Sequence, residues 1–115
     1  MSTLSTILAV VLGVAFLAAG FPKLAGQASV AANFERWGLP PAVRVATGAV
    51  EVLAAALLLL GLAVTAVAIT GALLVIATMI GALLTHGRAG DPVGTWVPAA
   101  VLLVLALVLA FSLLP

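Results

Sequence analysis

Hydrophobic residues fall in four long runs, separated by short stretches that hold most of the charged residues. The runs cover residues 4–21, 42–61, 63–85 and 96–114. Crossing about 30 Å of hydrocarbon takes roughly 20 helical residues, and each run is close to that length. The pattern therefore predicts four membrane-spanning helices.

A shorter amphipathic segment, residues 27–38, lies between the first two runs. Val30, Phe34 and Trp37 share one face of a helix there, and polar residues share another. This pattern predicts a short helix in the membrane interface, with Trp37 at headgroup depth. The expected fold is an all-α membrane protein: a single four-helix transmembrane bundle with an interfacial helix between helices 1 and 2.

The first run could be mistaken for a secretory signal peptide, because it is N-terminal and apolar. No lysine or arginine precedes it, however, and it is longer than a typical signal core. We therefore expect it to be retained as a helix.

The amino-acid composition limits the kinds of catalysis and cofactor that the chain can support. Of 115 residues, 66% are hydrophobic and 6% are charged, against roughly a quarter charged in soluble domains. The absence of cysteine and the single histidine exclude disulfides, thiol chemistry, cysteine-ligated metals and a bis-histidine haem. The net charge of +1 favours no nucleic-acid partner. The chain thus holds no self-sufficient catalytic set and no intrinsic cofactor, which leaves open whether it serves an enzyme.

Charge also predicts orientation. An even number of spans places both termini on one side of the membrane, and all four basic residues belong to the other side: Lys23, Arg36, Arg44 and Arg88. By the positive-inside rule, the charged loops are expected in the cytoplasm and both termini outside the cell membrane.

Glu51 lies inside the second run, about 10.5 Å along the helix from Arg44. An isolated carboxylate in hydrocarbon is costly, so it should be neutral or paired and face the bundle interior. Thr47 and Gly48 share its face, and Gly48 would leave room for a partner side chain or a ligand. The candidate partners from the same end of the bundle are Lys23, His86 and Arg88. The group is either an ion pair that orients helices or a site for ligand binding or proton relay. The supporting residues are Arg44, Thr47, Gly48, Gly20, Thr85 and Asp91.

His86 has two interpretations: a proton carrier, or a helix C-terminal residue that interacts with free carbonyls. A metal site from Glu51, His86 and Asp91 has no spacing motif behind it, so no metal is predicted. Arg88 and Asp91 lie among glycines and a proline, which predicts a solvated turn. Arg36, with its neighbour Glu35, is likewise expected on a solvated face.

Two stripes of mostly small residues occur at helical spacing. Such stripes favour close contacts between helices, within the chain or in a homo-oligomer. The stripe in the first run is Ala9, Gly13, Phe16, Gly20 and Lys23. The stripe in the third run is Gly71, Thr78, Gly81, Ala82 and Thr85.

Several short motifs resemble the DoxX-like membrane proteins. Residues 16–24 match the pattern FxxxGxxKL, and the similarity continues through residues 37–40, 48–52 and 85–92. These motifs occur in the same order as in the family, and together they span nearly the whole chain.

This resemblance implies a four-helix membrane protein with Lys, Glu, His and Arg positions clustered at one end. The family includes proteins resembling the small subunit of thiosulfate:quinone oxidoreductase and a component linked to redox stress. It is also related to four-span chaperones of receptor assembly. The expected function is an accessory subunit of a membrane redox system that binds a quinone or another small amphiphile, with redox proteins as partners. The alternative is a non-enzymatic membrane scaffold or assembly chaperone. A transporter is less favoured, because four short helices leave little room for a pathway.

Overall fold

The computed structural model describes residues 1–115 and is entirely helical. Its elements are α1 (Thr3–Ala25), α2 (Ala28–Arg36), α3 (Pro41–Leu60), α4 (Thr65–Ala89), a 3-10 helix (Val93–Trp96) and α5 (Val97–Ser112). Four segments are long and apolar enough to cross a membrane: α1, α3, α4, and the 3-10 helix together with α5. The predicted fold is therefore confirmed, with α2 as the short helix between the first two spans.

Two spanning helices end later than the hydrophobic pattern predicts. Helix α1 continues through Pro22 and ends before Gly26, whose φ is +71°. Helix α4 continues past Thr85 and ends before Gly90, whose φ is +68°. A glycine in the left-handed region ends a helix by its backbone conformation, whatever the local hydropathy. As a result, Lys23 lies on α1 and His86 on α4, and neither lies in a loop.

The bundle is arranged so that α1 and α4 each pack against both α3 and α5. The most deeply buried large side chains include Phe16, Leu12, Leu58 and Leu109. Large apolar side chains also cover the outside, as at Phe111, which is 72% exposed. A chain with apolar residues on both its inner and its outer surfaces is suited to lipid as the surrounding solvent.

Helices α1 and α3 approach most closely where two glycines meet. A Cβ added to Gly48 would lie 2.9 Å from the Gly20 carbonyl oxygen, and one added to Gly20 would lie 2.8 Å from Val52 Cγ2. The α1 stripe therefore makes the helix contacts that were predicted. Only part of the α4 stripe makes such contacts. Gly71 packs on Leu58, whereas a Cβ added to Gly81 would meet nothing within 4 Å.

At the end of the bundle that holds both chain termini, three serines are hydrogen-bonded to one another. Ser5 is fully buried, and its Oγ lies 2.8 Å from Ser112 Oγ on α5 and 2.8 Å from Ser2 Oγ. These hydrogen bonds join the first and last helices, which lie 107 residues apart in sequence at this point.

Candidate functional site

The charged end of the bundle contains a cavity of about 590 Å³ between α3 and α4, which we call the α3–α4 cavity. Its polar lining includes all four residues proposed from sequence as the centre of a site: Lys23, Glu51, His86 and Arg88. Its apolar lining comes from α2, α3 and α4 and includes Phe34, Val43, Val50 and Met79. The cavity is therefore polar in one part and hydrocarbon-like in another.

Glu51 is paired, as its position in the span required. Lys23 Nζ lies 2.8 Å from Glu51 Oε1, and the Glu51 side chain is only 3% exposed. The ammonium also donates to the Ala19 carbonyl at 3.2 Å. Its approach to Oε1 is close but not aligned as a hydrogen bond, so Oε1 has no hydrogen-bond donor within the chain. Because Oε1 is buried beside the ammonium, the attraction between the two charges stabilises it in place of an aligned hydrogen bond.

Arg44 shares a helix with Glu51 but binds elsewhere. Its guanidinium donates to the Lys23 carbonyl oxygen in the last turn of α1. Carbonyls in the last turn of a helix lack intrahelical partners, and an arginine satisfies one here. Arg44 therefore holds the end of α1 that carries Lys23, and it does not line the α3–α4 cavity.

The turn predicted to be solvated is exposed at Arg88 and Gly90, but Asp91 itself is a buried hydrogen-bonded centre, so the prediction is wrong for Asp91. The Asp91 side chain is 2% exposed. Its carboxylate accepts hydrogen bonds from the Arg36 guanidinium and, at 3.0 Å, from Trp37 Nε1, and it lies 2.6 Å from His86 Nδ1. Trp96 Nε1 donates to the Asp91 carbonyl oxygen at 3.0 Å. We call these five residues the Asp91 cluster.

A glycine-terminated helix end places Asp91 in that position. The Asp91 N–H donates to the His86 carbonyl at 3.0 Å, and the Gly90 N–H donates to the Gly87 carbonyl. These two bonds form the Schellman motif, which folds the chain back over the last turn of its helix. The fold brings the Asp91 carboxylate against His86. Arg36 and Trp37 then reach it from α2 and its C-terminal cap. The Arg36 side chain remains 53% exposed, so it lies on a solvated face as predicted, although its guanidinium also binds Asp91.

Arg36 and His86 lower the pKa of the Asp91 carboxyl. The Arg36 hydrogen bond, followed by the His86 one, moves the pKa of Asp91 from its ordinary 3.8 to about 2. A carboxyl with a lowered pKa stabilises the fold above its unfolded pKa, and that contribution is lost as the pH falls towards the folded value. We expect the thermal stability advantage of the wild type over Asp91→Asn in detergent to shrink between about pH 4 and pH 2. A difference in Tm that stays constant across this window would contradict the expectation.

Gly20 and Gly48 have a structural role. Gly48 leaves room as predicted, but α1 fills that space, because a Cβ there would lie 2.9 Å from both the Gly20 oxygen and Lys23 Cβ. Thr47 and Thr85 line the α3–α4 cavity, and each hydroxyl donates to a carbonyl of its own helix. No group of three His, Cys, Asp or Glu side chains is placed to hold a metal ion.

Sequence comparison assigns the family. The sequence model of the DoxX-like family matches residues 7–109, which is most of the chain. The protein belongs to the DoxX-like family. Searches among curated proteins and solved structures returned no match. Family membership, together with four apolar helices of spanning length, makes this DoxX-like protein a multi-pass membrane protein.

The sequence indicated some of this DoxX-like site and missed the rest. Lys23, Glu51, His86 and Arg88 all line one cavity. The roles of Trp37, Trp96 and Arg36 around Asp91 were not predicted. One signal was available, because Asp91 is one of only three acidic residues and directly follows a glycine at the end of a helix.

Proposed function

We propose that this DoxX-like protein binds a small amphiphile in the α3–α4 cavity. The observation that supports the proposal is the lining, which combines Lys23, Glu51, His86 and Arg88 with apolar side chains of two spanning helices. A volume of about 590 Å³ is in the range of small-molecule sites. The polar headgroup would lie among the four charged or titratable residues and the apolar part between α3 and α4.

The walls of the cavity support entry from the lipid. Val43 and Val50 line it on α3, and each remains 37% exposed on the outer surface of a spanning helix. Gly81 lines it on α4 and is also exposed. Because no bulky side chain projects from Gly81, an apolar chain could pass between the helices there.

In this proposal the protein acts as an accessory subunit of a membrane redox system, and a quinone is one candidate ligand. The side chains fit such a ligand, since Lys23 and Arg88 can donate to carbonyl oxygens. The chain contains no cysteine, so electrons would pass through the ligand or a partner redox protein. The charged end would face the cytoplasm, because it carries all four basic residues.

Native mass spectrometry of gently purified protein tests this function. We expect the wild type to retain a specific amphiphile and the occupancy in Glu51→Gln to be at least about tenfold lower, because the substitution removes the carboxylate that holds the Lys23 ammonium in the headgroup site. Glu35→Gln is the matched control, since Glu35 is exposed and lies outside the cavity. Gly81→Leu should also expel the ligand by filling the space between the helices.

Equal retention by the wild type, Glu51→Gln and Gly81→Leu would contradict the proposed site. A ligand lost equally from Glu35→Gln would show a general effect of charge removal on purification.

A second candidate is a non-enzymatic scaffold or assembly chaperone, in either a monomeric or a homo-oligomeric form. It is favoured by the Asp91 cluster, which ties α2, α4 and the 3-10 helix together through one carboxylate and one carbonyl. In this case the charged residues hold the bundle in shape, and the mass spectra of all variants should show no specific ligand.

A further inference from the structure

His86 is held by Asp91 in an orientation that leaves one ring nitrogen available. Its Nδ1 lies 2.6 Å from Asp91 Oδ2 and makes the only side-chain hydrogen bond of this histidine within the chain. A carboxylate next to Nδ1 favours the proton on that nitrogen. In the neutral imidazole, Nε2 then carries a free lone pair and is a hydrogen-bond acceptor.

The surroundings of the ring fix its position in the cavity wall. Trp37 packs edge-to-face against the imidazole, with centroids 5.5 Å apart and planes at 88°. The Trp37 indole N–H is itself bonded to Asp91, so the same carboxylate positions both rings. The His86 side chain is 15% exposed and lines the α3–α4 cavity. Nε2 is therefore an acceptor presented to a ligand.

The polar part of the cavity combines an acceptor with donors. The acceptor that a ligand can reach is His86 Nε2, because Glu51 Oε1 is fully buried beside the Lys23 ammonium. The donors are the Lys23 ammonium and the Arg88 guanidinium. One N–H of Arg88 already donates to the Trp37 carbonyl oxygen at 3.2 Å. A purely anionic headgroup would satisfy the donors and leave the His86 acceptor unpaired.

We propose that His86 accepts a hydrogen bond from a hydroxyl group of the bound amphiphile, so that the cavity selects hydroxyl-bearing headgroups, which include the reduced form of a quinone. Asp91 acts as the positioning residue, and it does so by holding Nδ1. The inference rests on the proposed binding function and adds the chemical class of the ligand and the residue that recognises it.

The single histidine allows a direct test in the unmodified protein. In ¹⁵N-histidine-labelled protein, the free state should show an unprotonated Nε2. Addition of 4-nonylphenol should shift that signal, because its hydroxyl donates to Nε2. The methyl ether, 4-nonylanisole, keeps the oxygen and the alkyl chain but has no donor, so it should leave the signal unchanged. A protonated Nε2 in the free protein, or no shift with the phenol bound, would overturn the assignment.

A competition experiment measures the selectivity. The two probes are supplied together in equal amounts to wild type and His86→Phe, and their occupancy is read by native mass spectrometry. Phenylalanine keeps an aromatic ring against Trp37 but has no acceptor. We expect the phenol-to-ether occupancy ratio to be about tenfold higher in the wild type, as one hydrogen bond supplies. Comparing the two proteins cancels any difference in how the probes partition into detergent.

The outcomes separate the two proposals. Both probes bound with the same ratio in wild type and His86→Phe would overturn hydroxyl recognition by His86 and leave amphiphile binding supported. Neither probe bound by the wild type would overturn amphiphile binding, and hydroxyl recognition with it. If His86→Phe does not fold, the nitrogen signal of the wild type still decides the point.

Discussion

Replacing Lys23 with methionine should lower the free energy of unfolding by about 3 kcal/mol, because it leaves Glu51 in the bundle without its counter-ion. The Glu51 side chain is 3% exposed, and Lys23 Nζ is the only cation within 4 Å of it. Methionine retains most of the length and apolar character of the lysine chain. The loss therefore reports the charge and not a cavity.

The double variant Lys23→Met, Glu51→Leu supplies the matched control. Removing both charges abolishes the desolvation cost together with the attraction, and replacing a buried pair by apolar residues is often neutral or stabilising. We expect the double variant to recover most of the stability lost in Lys23→Met. Unfolding by SDS in mixed micelles gives the free energies, and the cycle gives the coupling.

Losses in the single variants Lys23→Met and Glu51→Leu that add up to the loss in the double variant would contradict this account of the pair. A double variant that is stable but no longer retains the amphiphile would mean that the pair is kept for binding. A double variant that is stable and retains the same ligand would remove the pair from the proposed headgroup site.

Gly48→Ala should destabilise the bundle by about 1–3 kcal/mol, the usual cost of overpacking a tight contact. The added methyl would lie 2.9 Å from the Gly20 carbonyl oxygen. Because that atom belongs to the backbone, relief requires α1 and α3 to separate. Lys23 Cβ, also 2.9 Å away, would move with α1.

Gly81→Ala is the control within the same fold. It is again a glycine inside a spanning helix, but an added Cβ there meets nothing within 4 Å. Alanine is the better helix former by up to about 1 kcal/mol, so this variant should be neutral or more stable. Thermal unfolding of both proteins in one detergent compares them directly. Equal effects of the two substitutions would mean that helix propensity, and not the α1–α3 contact, sets the cost.

Part of the candidate site could be predicted from the sequence, because a charged side chain within the hydrocarbon core has few stable arrangements. With three acidic and four basic residues in 115, a carboxylate in mid-span has few partners. The cost of an unpaired charge in hydrocarbon predicted that Glu51 would face inward and be neutral or paired. Lys23 was among the three candidates, and the structure pairs it with Glu51.

The role of Asp91 could not be predicted, because the pattern of glycine, proline and charge around it is also that of an exposed turn. Whether such a turn is solvated depends on what packs over it. Here α2 and its C-terminal cap bring Arg36 and Trp37 onto the carboxylate from 55 and 54 residues away. No local signal records a contact of that sequence separation. The same holds for Ser5 and Ser112, which meet at opposite ends of the chain.

The sequence by itself determined the solvent, the number of spans and the end of the bundle that holds the charge. These properties depend on hydrophobic runs of spanning length and on the cost of charge in lipid, both of which act locally along the chain. The tertiary structure decided which charges meet, that Gly48 packs on α1 while Gly81 opens a cavity, and that Asp91 is buried. These outcomes depend on how the helices are rotated and crossed, and helix rotation is set by the sum of contacts between segments distant in sequence.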